Sequence, residues 1–95
     1  MVSYFGYDVV MTFGELFKLA RKNHNLSLDK VSLLSGVHKS NICKYENGDE
    51  APPSSMQRLI RLIGKLELTS EEMAALCNAA YTYHLGELNK KFIVK

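Results

Sequence analysis

The side chains best able to act on a ligand sit close together: Lys39, Ser40, Asn41 and Lys44. Their chemistry is hydrogen bonding rather than bond making. A lysine ammonium carries three donors and no acceptor, a serine hydroxyl does both, and an asparagine amide offers two donors and an acceptor. Set on one face of a helix, such groups can reach guanine O6 and N7 and other base edges. Bond-making sets are missing from the sequence. It has no paired carboxylates at a useful spacing, no nucleophile beside a base, no clustered metal ligands and no glycine-rich phosphate loop. His84 has no second ligand near it. Cys43 and Cys77 are far apart and form no C-x-x-C pair, so they read as free thiols in a reducing compartment. An enzyme is not expected, nor is a cofactor or a metal.

The elements that must position these donors can be read from the period of the apolar residues. Residues 28–48 read as two short helices and a tight turn. Leu28, Val31 and Leu34 share one helical face. Ser27 precedes them, and its hydroxyl can cap the first turn. Gly36 follows, a residue free to adopt the positive φ that ends a helix sharply. Val37 is an apolar plug, and Ser32 is small where the two helices must approach. From His38 to Asn47 the helical period resumes, with Ile42 and Tyr45 inward and the donors outward, and Asn47-Gly48 is a second stop. Two helices of this length joined by a turn with glycine describe a helix-turn-helix, whose second helix enters a DNA major groove.

Three further helices are expected around this pair. Residues 12–23 begin with a capping box, Thr12 and Glu15, and place Phe13, Leu16, Phe17 and Ala20 on one stripe. Leu26, after the turn at residues 23–25, should staple into the core. Pro52 and Pro53 stop any extension of the third helix. Ser54 and Ser55 then start a fourth helix to about Gly64, with Leu59, Leu62, Ile63 and Leu66 inward. Residues 69–83 form the fifth, opened by the capping box Thr69 and Glu72, with Met73, Leu76, Cys77, Ala80 and His84 along one face. Gly86 should break it, with a brief resumption over residues 87–92. Tyr81, Tyr83 and Leu85 exceed what a five-helix core needs. They suit a partner surface, or they cover their own core together with Phe5 and Tyr7. Residues 1–10 show no helical period and read as a strand, a packed arm or a tail.

Length and composition agree with one small domain: 95 residues, 46% of them apolar, with a net charge of +2. No apolar run is long enough to span a membrane and no leader is visible, so a cytoplasmic protein is expected. The basic excess is slight. Its distribution is more telling: Lys18, Arg21, Lys22, Lys30, Lys39 and Lys44 come early, whereas Asp49, Glu50, Glu67, Glu71, Glu72 and Glu87 come later. A polarised charge distribution fits one face on phosphate and another elsewhere.

The string LSLDKVSLLSGVHKSNICKYENGDEAPP, with TFGELFKLARK upstream, resembles the phage-repressor-like (Xre-type) helix-turn-helix transcription regulators over residues 12–80. The resemblance implies an all-α, compact five-helix DNA-binding domain with its helix-turn-helix at helices two and three. Residues 1–11 would be an N-terminal arm, and residues 81–95 a helix end and tail able to mediate dimerisation. It implies base reading by Lys39, Ser40 and Lys44, while Asn41, half turned away, could reach a base edge or a phosphate. Backbone phosphates would fall to Ser27, His38, Asn47, Ser54 and Ser55, fixing register without reading sequence. Arg21 would pair with Glu46, locking the first helix to the third. The partners implied are double-stranded DNA, as a palindromic operator, and a second copy of the chain. An antitoxin or other protein-interaction regulator, bound to a toxin or another regulator, is the alternative. Two departures from the family pattern bear on affinity. Asp49 and Glu50 stand where basic residues are common, and Leu28 stands where many members have a phosphate-binding glutamine.

Overall fold

The stretches of helical period become five helices in the computed structural model, which describes the backbone of residues 11–93 and the side chains of residues 11–88. They are α1 (Phe13–Asn23), α2 (Leu28–Ser35), α3 (Lys39–Asn47), α4 (Met56–Ile63) and α5 (Ser70–Ile93). There is no strand among the described residues. Residues 1–10, with Phe5 and Tyr7, lie outside them, as do the side chains of residues 89–95. No helix among them is long and apolar enough to cross a membrane.

The helix starts follow local chemistry. Thr12 Oγ1 accepts from the Glu15 N–H at 3.1 Å while Glu15 Oε1 accepts from the Thr12 N–H at 2.9 Å, so each side chain satisfies a donor that the first turn leaves free. Thr69 and Glu72 repeat the arrangement at the start of α5, at 3.0 and 2.8 Å. Ser27 caps α2 through the Lys30 N–H. Ser55 caps α4 through the Arg58 N–H, so α4 begins at Met56, later than the two serines expected to open it.

One core joins the five helices. Phe17, Val31, Ile42, Leu62, Ile63 and Leu76 have almost no exposed surface, and Leu16, Leu59, Leu66 and Ala80 are buried beside them. Leu26, Leu28, Leu34, Val37, Met73 and Cys77 pack half-buried against this cluster. Tyr45 meets the edge of Phe13 with ring centroids 6.3 Å apart, which docks the end of α3 on the start of α1.

The fifth helix departs from the sequence reading. It does not break at Gly86 but runs on to Ile93. A glycine in a helix costs about 1 kcal/mol relative to alanine, against about 3 for proline. Leu85, Glu87, Leu88 and Lys90 around it are good helix formers, and the hydrogen-bond ladder outweighs a penalty of that size. His84 lies on the inner face, and its Nε2 is 2.7 Å from the Pro52 carbonyl. The ring that could have been a ligand instead ties α5 to the loop before α4.

Candidate nucleic-acid interface

The turn between α2 and α3 is built from short hydroxyl bridges. Gly36 takes a left-handed conformation at φ 75. The Ser32 hydroxyl donates to the Val37 carbonyl at 2.7 Å, and the Val37 N–H donates to Ser35 Oγ at 3.1 Å. Ser32 is therefore more than a small residue at a crossing, since it closes the turn. His38 then caps α3. Its Nδ1 accepts from the Ser40 N–H at 3.3 Å and lies 2.9 Å from the Ser40 hydroxyl. With Nδ1 accepting, the ring's donor is Nε2.

The orientation of α3 is set by its inner side. Ile42 and Tyr45 are buried. Arg21 holds the last turn from α1: Nε donates to Glu46 Oε2 at 2.7 Å and Nη2 to Oε1 at 3.0 Å. The remaining Arg21 nitrogen donates to the Leu26 carbonyl, so one planar guanidinium joins α1, the following turn and α3. The two side chains are 11% and 5% exposed, a buried pair rather than a surface one. A surface ion pair is worth about 0–1 kcal/mol, whereas breaking a buried one costs about 3–5. Burial pushes the Tyr45 phenol above its ordinary value of 10.0; Glu50 adds to this and Arg58 opposes it. Tyr45 thus stays neutral.

With the inner side fixed, Ser40, Lys44 and Asn47 follow one another at i, i+4 and i+7 along the outer side, flanked by Lys39 and Asn41, and all five are exposed. Cys43 is half-buried on the flank. The Lys39 side chain at the start of α3 reaches the first turn of α2: its Nζ is 3.1 Å from Asp29 Oδ1, two residues beyond Ser27. That contact links the start of α2 to the outer face of α3, and Ser27 and His38 are both exposed at their helix starts. Ser54 and Ser55 are exposed at a different helix start, that of α4. Leu28 packs half-buried against the core, which leaves Ser27, Asp29 and Lys30 as the polar groups at the start of α2. Gly48 ends α3 at φ 79, and the N–H groups of Asp49 and Glu50 both donate to the Lys44 carbonyl. Both carboxylates are exposed at that end. A cleft of about 370 Å³ between the start of α1, the end of α3 and Tyr83 is lined by Glu15, Glu46 and Glu50, an unfavourable place for phosphate. Among the described residues, no group of three or more His, Cys, Asp or Glu could hold a metal ion.

Two determinants of this geometry escaped the sequence reading. Gly14 is buried where α1 meets α3, and a Cβ there would lie 2.3 Å from the Tyr45 carbonyl oxygen and 2.7 Å from that of Glu46. Only a missing side chain lets the helices approach this closely, and a glycine inside an apolar stripe was the available signal. His24 Nε2 is 2.6 Å from Glu72 Oε1, joining the turn after α1 to the start of α5. Burial alone would raise the Glu72 carboxyl, but the Thr69 N–H, His24 and Asn23 together hold it below its ordinary value of 4.5. Residues so distant in sequence carry no local sign of their pairing.

Residues 17–72, more than half of the 95, match the sequence pattern of a family described as helix-turn-helix. The searches of curated proteins and of solved structures return no match. The matched span runs from within α1 to the first turn of α5 and encloses the whole α2–turn–α3 unit. A chain with this pattern, an all-α fold and an exposed polar face on the second helix of the unit belongs to the phage-repressor-like (Xre-type) helix-turn-helix family of DNA-binding transcription regulators.

Proposed function

We propose that the chain is a sequence-specific repressor that reads the major groove with α3, as a homodimer on a two-fold operator. The carrying observation is the run of exposed donors Lys39, Ser40, Asn41 and Lys44 on a helix whose inner side is pinned by a buried ion pair. A rigidly held donor face suits base edges, because a base contact is worth its full energy only when it is held in position. Lys39 and Lys44 suit guanine O6 and N7, while Ser40 and Asn41 serve other edges. Ser27 and the Nε2 donor of His38 beside that face suit phosphate, as do Asn47 and the α4 start at Ser54 and Ser55. Asp49 and Glu50 would lower both affinity and salt dependence.

A protein partner is the second reading, with the chain as an antitoxin or interaction regulator that uses DNA secondarily. Tyr81, Leu85 and Leu88 favour it: they are exposed at i, i+4 and i+7 on α5, an apolar stripe with its own occupant to find. The same stripe serves a homodimer.

Fluorescence anisotropy tests the first reading, using a labelled duplex from immediately upstream of the chain's own gene and a scrambled duplex, at two salt concentrations. Salt-dependent binding that prefers the native duplex is expected. Lys39→Ala should weaken it by about 1–3 kcal/mol and relax one base position. Equal, weak binding to both duplexes would move the protein-partner reading to the front.

A further inference from the structure

The pair Lys39–Asp29 places a carboxylate on the face assigned to DNA. Both side chains are open to solvent, 51% and 79% exposed. In water such a pair contributes little to stability, so a fold-stabilising role does not account for it well. Its position is more informative. Asp29 is in the first turn of α2 and Lys39 opens α3, the helix whose outer face is proposed to meet a duplex.

We propose that Asp29 is a specificity-determining residue: it holds the Lys39 ammonium for guanine and makes the same face unfavourable to a duplex that lacks it. The proposal rests on the assignment of Lys39 to base reading. A lysine is a point charge on a flexible stem, and fixing it costs side-chain entropy. Asp29 accepts one of the three ammonium donors, which leaves two for guanine O6 and N7. On a duplex with no guanine there, Lys39 meets at most one acceptor per base, adenine N7 or thymine O4, in place of the O6/N7 pair. If it turns to a phosphate instead, it leaves Asp29 unpaired against the polyanion, and like charges brought together disfavour the wrong partner. Leu28 cannot take this role, because its side chain has no acceptor and packs against the core. Ser27 remains available to a phosphate in either case, since its bond to the Lys30 N–H uses an acceptor site and leaves the hydroxyl proton free.

The test uses anisotropy on two duplexes: the sequence that the full chain enriches from a randomised duplex pool, and its scrambled form. Asp29→Asn should bind the scrambled duplex several-fold more tightly, with a salt slope steeper by about one as Lys39 is released to a phosphate. Preference for the enriched duplex should fall, and Asp29→Glu, which keeps the carboxylate, should restore much of it. In a Lys39→Met background, Asp29→Asn should leave the preference unchanged, because the effect runs through Lys39. If Lys39→Met loses preference while Asp29→Asn leaves both the scrambled-duplex affinity and the preference as they were, the role of Asp29 is refuted and the reading face stands. If Lys39→Met keeps full preference, the reading face itself is wrong and the role of Asp29 falls with it.

Discussion

At Gly14 a missing atom decides how two helices meet. The nearest obstacles to a Cβ are backbone carbonyl oxygens of Tyr45 and Glu46, which cannot rotate away. Gly14→Ala should therefore destabilise the domain, by about 1–3 kcal/mol as overpacking does, despite the better helix propensity of alanine. Urea unfolding followed by circular dichroism checks this, and a gain in stability would show that α1 and α3 can separate at no cost. Arg21 acts at the same junction by attraction. Arg21→Ala leaves the Glu46 carboxylate buried without its partner, and a loss of about 3–5 kcal/mol is expected. Arg21→Ala combined with Glu46→Ala should lose less than the two single variants summed, since the second change removes the stranded charge. Additive losses would mean that the two residues act independently. Both types were legible in the sequence, but their pairing came from family resemblance, and the two short contacts are what distinguish a buried lock from two surface charges.

The helices differ in how far local sequence determines them. α2 and α3 are bounded by groups that act within a few residues: the Ser27 and His38 caps, the left-handed Gly36 and Gly48, and the hydroxyl bridges of Ser32 and Ser35. Local rules read the Ser27 cap and the stops at Gly36 and Gly48 correctly, but they placed His38 inside α3 rather than as its cap and took Ser32 only as a small residue. α5 is different, because a single glycine gave the wrong end point; propensity is a weak prior once a long helix is nucleated by a good cap. That cap also makes the element sensitive to acid. Glu72 is held below its ordinary value of 4.5, so its ionised form is the one the fold prefers. Its contribution is complete above about that value and is lost as pH falls through the lower folded-state value. Denaturation of wild type and Glu72→Gln should then differ most near neutral pH and converge under acid. A gap that stays constant down to strongly acidic pH would show that the carboxylate gains nothing from Thr69, Asn23 and His24.

For the molecule as a whole, the question is what α5 is for once the core is closed. Among the described residues the last buried one is Ala80, yet the helix continues to Ile93 with Tyr81, Leu85 and Leu88 outward. A continuous apolar stripe on a rigid rod suits a second copy, and two copies related by a two-fold axis would set their α3 helices about one DNA turn apart, roughly 34 Å. Sedimentation equilibrium should give a dimer, and Leu85→Glu with Leu88→Glu should give a folded monomer with weaker operator binding. Dimers that survive both changes would place the interface elsewhere.

The sequence by itself determined the class and number of the helices, most of their inward residues, the caps of α1, α2 and α5, the glycine stops at Gly36 and Gly48, and the exposed donors of the outer α3 face. All of these follow from interactions within one or two helical turns, where residue order is also spatial order. Tertiary structure decided the rest: the close approach at Gly14, the tie between His24 and Glu72, the hold of His84 on the Pro52 carbonyl, the length of α5, and the carboxylate of Asp29 beside Lys39. Most of these join groups far apart along the chain, and α5 is long because its whole ladder outweighs one weak residue. Periodicity has no term for either effect, because each depends on how the helices are set against one another and on cooperation along a full helix.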